Sequence, residues 1–203
     1  MLRRRIFSKV VAVEKPFSQA VVGDIYCSDN TIVAPANYSG SGKTAVGIVI
    51  NNASGVMRLM GLSSISYIWM PFPLEDLPLP NITNIYDAHA DVNGFSNTVD
   101  IVIYAGNDTL AKLCLDANIS GVTGWHLGSA GEMWLYGINR ATVDTSRVAC
   151  GLSAISADAV ISTSTEYDSE SAWYYYNSST PTLYSGLPKY TSYPTYPIKK
   201  ITY

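Results

Sequence analysis

Gly121–Tyr136, GVTGWHLGSAGEMWLY, read together with Ile161–Tyr176, ISTSTEYDSESAWYYY, decides how this chain is understood. In the first stretch Gly121 and Gly124 punctuate a turn, and Trp125 and Leu127 point inward. Ser129 followed three positions later by Glu132 is a capping box, in which each side chain accepts from a backbone N–H at a helix start. A helix is therefore expected from about Ala130, with Met133, Trp134, Gly137 and Ile138 on its apolar face and Glu132 and Arg140 in water. In the second stretch, Ser/Thr-rich extended chain leads through Glu166 to Trp173 and a tyrosine run that alternates sides as a strand does.

At these residues the chain resembles a family. GW-x-L-x-S-x-x-E-M followed by STEYDSESAWYYY is similar to the C-type-lectin-like domains of bacteroidetes and their phages, whose usual pattern is GW-x-LPS-x-x-E-L, WSSTEYSS-x-x-AWY and KY-x-S-Y. DVNGFSNTVDIVIYAG, AKLCLDA and the ending KYTSYPTYPIKKITY extend the resemblance over Tyr86–Tyr203. The usual Pro is Gly128 here, and the usual Trp is Ile161 or Ser162. The resemblance implies an α+β fold in which helices pack on a twisted antiparallel sheet over residues 81–203. Before it lie a basic N-terminal arm, 1–15, and a small β-rich region, 16–80. It also implies a scaffold that displays a variable binding face, not an enzyme, similar to phage fibre or receptor-binding proteins.

Composition points the same way. The 203 residues are 47% hydrophobic, enough for a sizeable core, but only 14% are charged, against about 25% in an average globular protein. Tyr, Ser, Thr and Asn fill the gap, as in β-rich extracellular, fimbrial or virion proteins. The formal charge of −3 hides an asymmetry, because Arg3, Arg4, Arg5, Lys9 and Lys15 lie together at the start while acids outnumber bases from Pro16 to Pro188. Cys27, Cys114 and Cys150 are odd in number and lack metal-type spacing, so buried free thiols are expected rather than a disulfide framework. The basic start has no apolar run of signal-peptide length, which predicts folding in a cytoplasm. The most apolar window, Ile65–Leu79, is cut by Pro71, Pro73 and Pro78, so no membrane span is expected.

In chain order, residues 1–15 read as an arm that docks onto a larger partner through Arg3, Arg4, Arg5, Phe7 and Lys9. With no second basic patch, nucleic acid is not the expected partner. Ala20–Asn51 alternates strand and turn signals in AVVGDIYCS, TIVA and TAVGIVIN. Gly40–Thr44, GSGKT, suggests a phosphate loop, but Asn37 stands where its first glycine belongs and a strand follows in place of a helix. VMRLMG and ISYIWM predict two more strands, and Pro71–Pro80 a linker or edge wrap. Asp87, Asp91 and Asn93 have oxygen ligands at alternate positions, yet Val92 occupies the glycine site of a calcium loop and no closing glutamate follows. A hydrogen-bonded turn is expected there, then helices at Thr98–Ala105 capped by Asn97, at Leu110–Ala117 capped by Asp108, and at Thr142–Ile155 with Cys150 facing in.

Nine of the fifteen tyrosines lie between Tyr167 and Tyr203. Trp173, Tyr175 and Tyr203 are assigned to the core. The others are too many to bury in succession, since each hydroxyl would need a partner. Tyr174, Tyr176, Tyr184, Tyr190, Tyr193 and Tyr196, with Asn177 and Asp168, are therefore the expected ligand-binding face. Such side chains give paratopes rigid contact area at low entropy cost.

Nothing in the sequence assembles a catalytic set. His89 and His126 have no Ser or Cys partner in a recognisable motif, and Leu127 fills the first glycine of any nucleophile elbow around Ser129. Glu75/Asp76 and Glu166/Asp168/Glu170 read as solvated faces. The calcium-carbohydrate motifs of animal lectins are missing too, so no catalytic residue, metal or cofactor is expected. The sequence reading is a non-enzymatic phage virion component, a head or tail fibre or decoration protein. It would be a homo-oligomer, dock to capsid or tail proteins through its arm, and attach to a host surface glycan or protein. The alternative is a bacterial cell-surface or fimbrial-tip adhesin.

Overall fold

The β-branched run Ala45–Ala53, AVGIVINNA, forms the longest strand, and the largest sheet grows on both sides of it. The computed structural model describes residues 13–71 and 77–203. The expected docking residues Arg3, Arg4, Arg5, Phe7 and Lys9, and the acidic pair Glu75/Asp76, lie outside the described residues.

In chain order the first strands are β1 (Glu14–Lys15), β2 (Ile25–Cys27), β3 (Ile32–Val33), β4 (Ala45–Ala53), β5 (Val56–Gly61) and β6 (Ile65–Ile68), with a one-turn helix α1 (Pro35–Tyr38) before β4. Five helices follow: α2 (Ile85–Ala90), α3 (Gly94–Ala105), α4 (Leu110–Leu115), α5 (Ala130–Ile138) and α6 (Arg140–Ala149). The chain closes with β7 (Val160–Glu166), β8 (Ser171–Tyr176), β9 (Thr182–Pro188), β10 (Ser192–Thr195) and β11 (Ile198–Thr202). Three antiparallel sheets result, a six-stranded one in the order β1-β3-β2-β4-β5-β11, the pair β6-β10, and the triplet β7-β8-β9.

Local chemistry explains much of this. β4 and β5 are joined by Ser54-Gly55, both at positive φ, 54° and 74°, the backbone that a two-residue hairpin turn needs to match the strand twist. Helix α5 begins where the capping box places it. Ser129 accepts from the Glu132 N–H, and the Glu132 carboxylate accepts from the Ser129 N–H.

The expected α+β arrangement, helices packed on one twisted antiparallel sheet over residues 81–203, is overturned by this topology. Among the described residues the strands are divided among three sheets, and β11, near the end of the chain, pairs with β5 as the edge of the sheet that β1 to β5 build. The physical reason is that strand partners are chosen by long-range packing, which neither hydrophobic period nor local motif encodes. Trp125, Leu127 and Trp173, all expected to point inward, enter three different packing groups. Trp125 packs with Tyr26, Val46 and Leu59, and Leu127 with Trp69, Leu110 and Cys114. Trp173 packs with Met133, Tyr136 and Tyr175, with Trp134 partly buried against that group.

Helix limits move as well. Asn97 does not cap α3 but lies buried inside it, its amide donating to Asp91 Oδ2 at 3.1 Å. Thr109, not Asp108, caps α4. α6 ends at Ala149, where Gly151 follows at φ 82° and glycine supplies the left-handed turn that stops a helix. Cys27 and Cys114 are buried thiols and Cys150 is half-buried. Among the described residues no helix is long and apolar enough to cross a membrane.

Candidate functional site

The alternation of β8 separates its aromatic residues onto two faces. Trp173 and Tyr175 turn inward and are buried. Trp173 Nε1 donates to the Ile82 carbonyl at 2.5 Å, and Tyr175 meets the edge of Tyr136 with ring centroids 5.5 Å apart. Tyr174 and Tyr176 point the other way and are half-buried. Across the ladder Tyr174 is paired with Tyr184 and Tyr176 with Thr182, so Tyr184 lies on the same outer face. Its ring stacks on Tyr174 at 5.7 Å and 26° and meets Tyr176 at 6.2 Å and 66°. Tyr184 remains 46% exposed.

Electrostatics ties a fourth ring to the group. Tyr174 titrates above its ordinary value, first because burial disfavours the phenolate and then because Tyr184, Tyr193 and Tyr176 stand close enough to oppose a second negative charge. Tyr193 comes from β10, where it pairs with Tyr67 of β6, and the Tyr67 hydroxyl hydrogen-bonds Asp108. Tyr176 donates to Asp158 Oδ1 at 3.3 Å, and that carboxylate is the main cause of its raised pKa. Tyr174, Tyr176 and Tyr184 thus form one tyrosine face on the β8–β9 hairpin, with Tyr193 of β10 near Tyr174.

The remaining expected ligand residues are placed elsewhere or act otherwise. Asn177 is fully buried, its amide donating to the Ile155 and Ser156 carbonyls at 3.1 and 2.7 Å. Asp168 accepts from Ser171 N and Oγ, both at 2.7 Å, and from Glu170 N at 2.9 Å. Burial acts to raise its pKa, but those hydrogen bonds outweigh it and hold the carboxyl below its usual range, so Asp168 fastens the turn from β7 into β8. Tyr196 is half-buried beneath the Arg147 guanidinium, 5.0 Å above its ring. Tyr190 is 54% exposed. Tyr203, assigned to the core, instead stays 46% exposed, donating to Asn52 Oδ1 at 2.7 Å.

Two buried ionic groups escaped sequence reading. Glu166, taken for part of a solvated face, is buried and ion-paired with the equally buried Lys189, whose ammonium also donates to the Ser169 carbonyl at 3.0 Å and lies 5.0 Å over the Trp69 ring. Glu132, expected in water, is 1% exposed and accepts from Arg58 Nε at 3.2 Å. Its other oxygen faces His126 Nε2 at 3.1 Å. The only sequence signal for its burial was the capping box, which fixes where a glutamate points but not what covers it.

The Asp87–Asn93 segment is α2 and the turn after it. A hollow of about 220 Å³ lies there, lined by Ile82, Asp87, Asp91, Asn97 and Thr165 among others. Asp91 is committed to the protein, accepting from Asn93 N at 3.0 Å, Asn97 Nδ2 at 3.1 Å and Thr165 Oγ1 at 2.5 Å. Among the described residues no three His, Cys, Asp or Glu side chains are grouped to hold a metal ion.

No family model matches the chain, and no curated protein matches it. Among solved structures, the crystal structure of a fimbrial protein from Bacteroides ovatus superposes with a TM-score of 0.63 at 16% identity, over 91% of this chain and 49% of that one. The chain shares its fold with half of a bacterial fimbrial protein. At that identity the likeness carries architecture alone, and the chain spans about half the length of that structure.

Proposed function

We propose that this chain is a subunit of a bacterial surface or fimbrial adhesin, a non-enzymatic protein that presents the Tyr174–Tyr176–Tyr184–Tyr193 face to a glycan or protein on another surface. The observation that carries the reading is that face itself. Tyr184 stacks on Tyr174 and meets Tyr176 edge-on while staying 46% exposed, with Tyr193 near Tyr174, although β8 buries Trp173 and Tyr175 on its other face. A cluster of partly exposed aromatic rings on the outer face of a hairpin is a mark of an interaction site. Tyrosine rings offer flat contact area with hydroxyls at the rim, suited to sugar rings and to peptide alike. The fold shared with a fimbrial protein and the low charge content support a surface role.

The virion reading rests on the resemblance to phage fibre proteins and on a docking arm whose Arg3, Arg4, Arg5, Phe7 and Lys9 lie outside the described residues. The test is a glycan array and a whole-cell attachment assay with the parent and with Tyr176→Ala/Tyr184→Ala. Unchanged melting with lost binding supports the adhesin reading. Binding retained by the double variant overturns the tyrosine face.

A further inference from the structure

A second candidate site lies at the open edge of β11 and is built from different chemistry. The chain segment through His126 bridges β11 only at Ile198, where the N–H and C=O of each residue bond the other at 2.8 and 2.9 Å. Backbone groups alternate sides along an antiparallel strand, so the N–H and C=O of Lys200 and Thr202 face the same outer edge as those of Ile198. Among the described residues no strand continues alongside them. The space left open is a cleft of about 440 Å³ lined by Phe95, Gly124, His126, Lys199, Lys200 and Thr202, within the size range of small-ligand pockets.

Its chemistry has one sign. Lys199 donates to the Thr123 carbonyl at 2.6 Å, which leaves two of its three N–H donors. Burial holds its pKa below the ordinary lysine value. Neither Lys199 nor Lys200 has a carboxylate partner among the described residues.

His126 forms the inner wall and is 1% exposed. Glu132 accepts from Arg58 and from the Ser129 N–H, and its Oε2 lies 3.1 Å from His126 Nε2. Nδ1 is buried and has no hydrogen-bond partner, which is uncommon for a buried polar atom. Phe95 stands edge-on to the imidazole at 5.9 Å and 87° and is 53% exposed, giving the mouth an apolar ledge. Gly124 stands at φ 79°, a left-handed backbone that glycine supplies.

We infer that this cleft binds a compact carboxylate-bearing ligand of sugar-acid size, its carboxylate held between the Lys199 and Lys200 ammoniums, which flank the β11 edge from opposite faces, and its ring resting on Phe95. The carboxylate supplies the counter-charge that both lysines lack. The open N–H groups of Lys200 and Thr202 add donors along the edge, as charge-assisted hydrogen bonds to an anion. The inference stands independently of the tyrosine face, because the two sites share no residue.

The test is an NMR titration of the full chain with glucuronate, with glucose and with acetate, following the His126 imidazole and the Gly124 and Lys200 amides. Glucuronate is expected to shift these signals saturably, glucose to leave them in place, and acetate to bind more weakly for want of a ring on Phe95. Lys200→Gln should weaken glucuronate by about tenfold, the loss of one hydrogen bond to a charged group, and Phe95→Ala should bring glucuronate down to the acetate level. Lys200 and Phe95 are both exposed, so neither variant removes core contacts. Glucuronate that shifts none of these signals, glucose that binds as well as glucuronate, or a Lys200→Gln variant that binds like the parent overturns the assignment.

Discussion

The Gly131 N–H donates to the Asp91 carbonyl at 2.9 Å, and a Cβ built on Gly131 would stand 2.3 Å from that same oxygen. The first turn of α5 is thereby held against the end of α2 backbone to backbone, with the Ser129 hydroxyl donating to the same carbonyl at 2.7 Å. Two effects oppose each other in Gly131→Ala. Helix propensity favours alanine by about 1 kcal/mol, whereas a clash with main chain cannot be relieved by rotating a side chain and costs roughly 1–3 kcal/mol or more. The clash wins, so Gly131→Ala should lower the denaturant midpoint without changing the slope. A variant as stable as the parent would show that α2 can move away from α5 freely.

Glu132 joins more of the molecule than its place in a capping box requires. Arg58 of β5, His126 and the Ser129 N–H all converge on its two oxygens. Glu132→Ala leaves the nearly buried Arg58 without its counter-charge and strips the helix cap, so a loss of about 3–5 kcal/mol is expected. Glu132→Gln keeps the shape and an acceptor and should lose less. Chemical denaturation of both variants checks the order, and equal losses would show that the charge plays no part.

Raised acid pKa values predict where alkali unfolds the protein. Burial pushes Cys27 from 9.0 up to about 11, Cys150 from 9.0 up to about 11 and Tyr175 from 10.0 up to about 12. In each the folded state favours the protonated form, so its contribution to stability is complete below the ordinary value and is lost as pH rises through the raised one. Tm should stay level from about pH 7 to about pH 9 and fall between about pH 9 and pH 12. The phenolate absorbance of Tyr175 should emerge only with unfolding. At neutral pH both cysteines are thiols, and a thiol-specific reagent should label them slowly until denaturant is added.

Legibility in the sequence followed the reach of each signal. The Ser129/Glu132 cap, the start of α5 and the two-faced alternation of β8 were all readable, because each is decided within a few residues by backbone geometry. The β-strands before residue 70 were readable from β-branched runs and turn residues. What failed was decided at long range. KKIT says that a strand forms, but nothing in it says that it pairs with Val56–Gly61 rather than with the tyrosine hairpin. Glu132, Glu166 and Lys189 look solvated by residue type, and their burial depends on partners dozens of positions away. The tyrosine face was half legible. Period two placed Tyr174 and Tyr176 outside, but Tyr184 joined them through strand register and Tyr193 through a second sheet. Asn177, one residue beyond β8, was taken for a surface ligand and proved to be a buried bridge to Ile155 and Ser156.

The two sides of the β8–β9 hairpin give the last prediction. Tyr175 is buried against Tyr136, and a Cβ on Gly137 would lie 2.6 Å from its ring, so helix and strand are in contact with no space to spare. Tyr175→Ala should open a cavity there and cost about 3–5 kcal/mol, as large-to-small changes of buried aromatics do. Tyr184 is paired with Tyr174 on the outer face, and its loss removes a stacked contact worth about 0.5–1.5 kcal/mol. Tyr184→Ala should therefore shift Tm only slightly, and Tyr175→Ala strongly. Melting both variants beside the parent separates core from display. If the two fall together, the outer rings are holding the hairpin in place, and the tyrosine face is part of the packing. If only Tyr175→Ala falls, the outer tyrosines contribute little to folding, and their exposed aromatic surface is left to gain when a partner covers it.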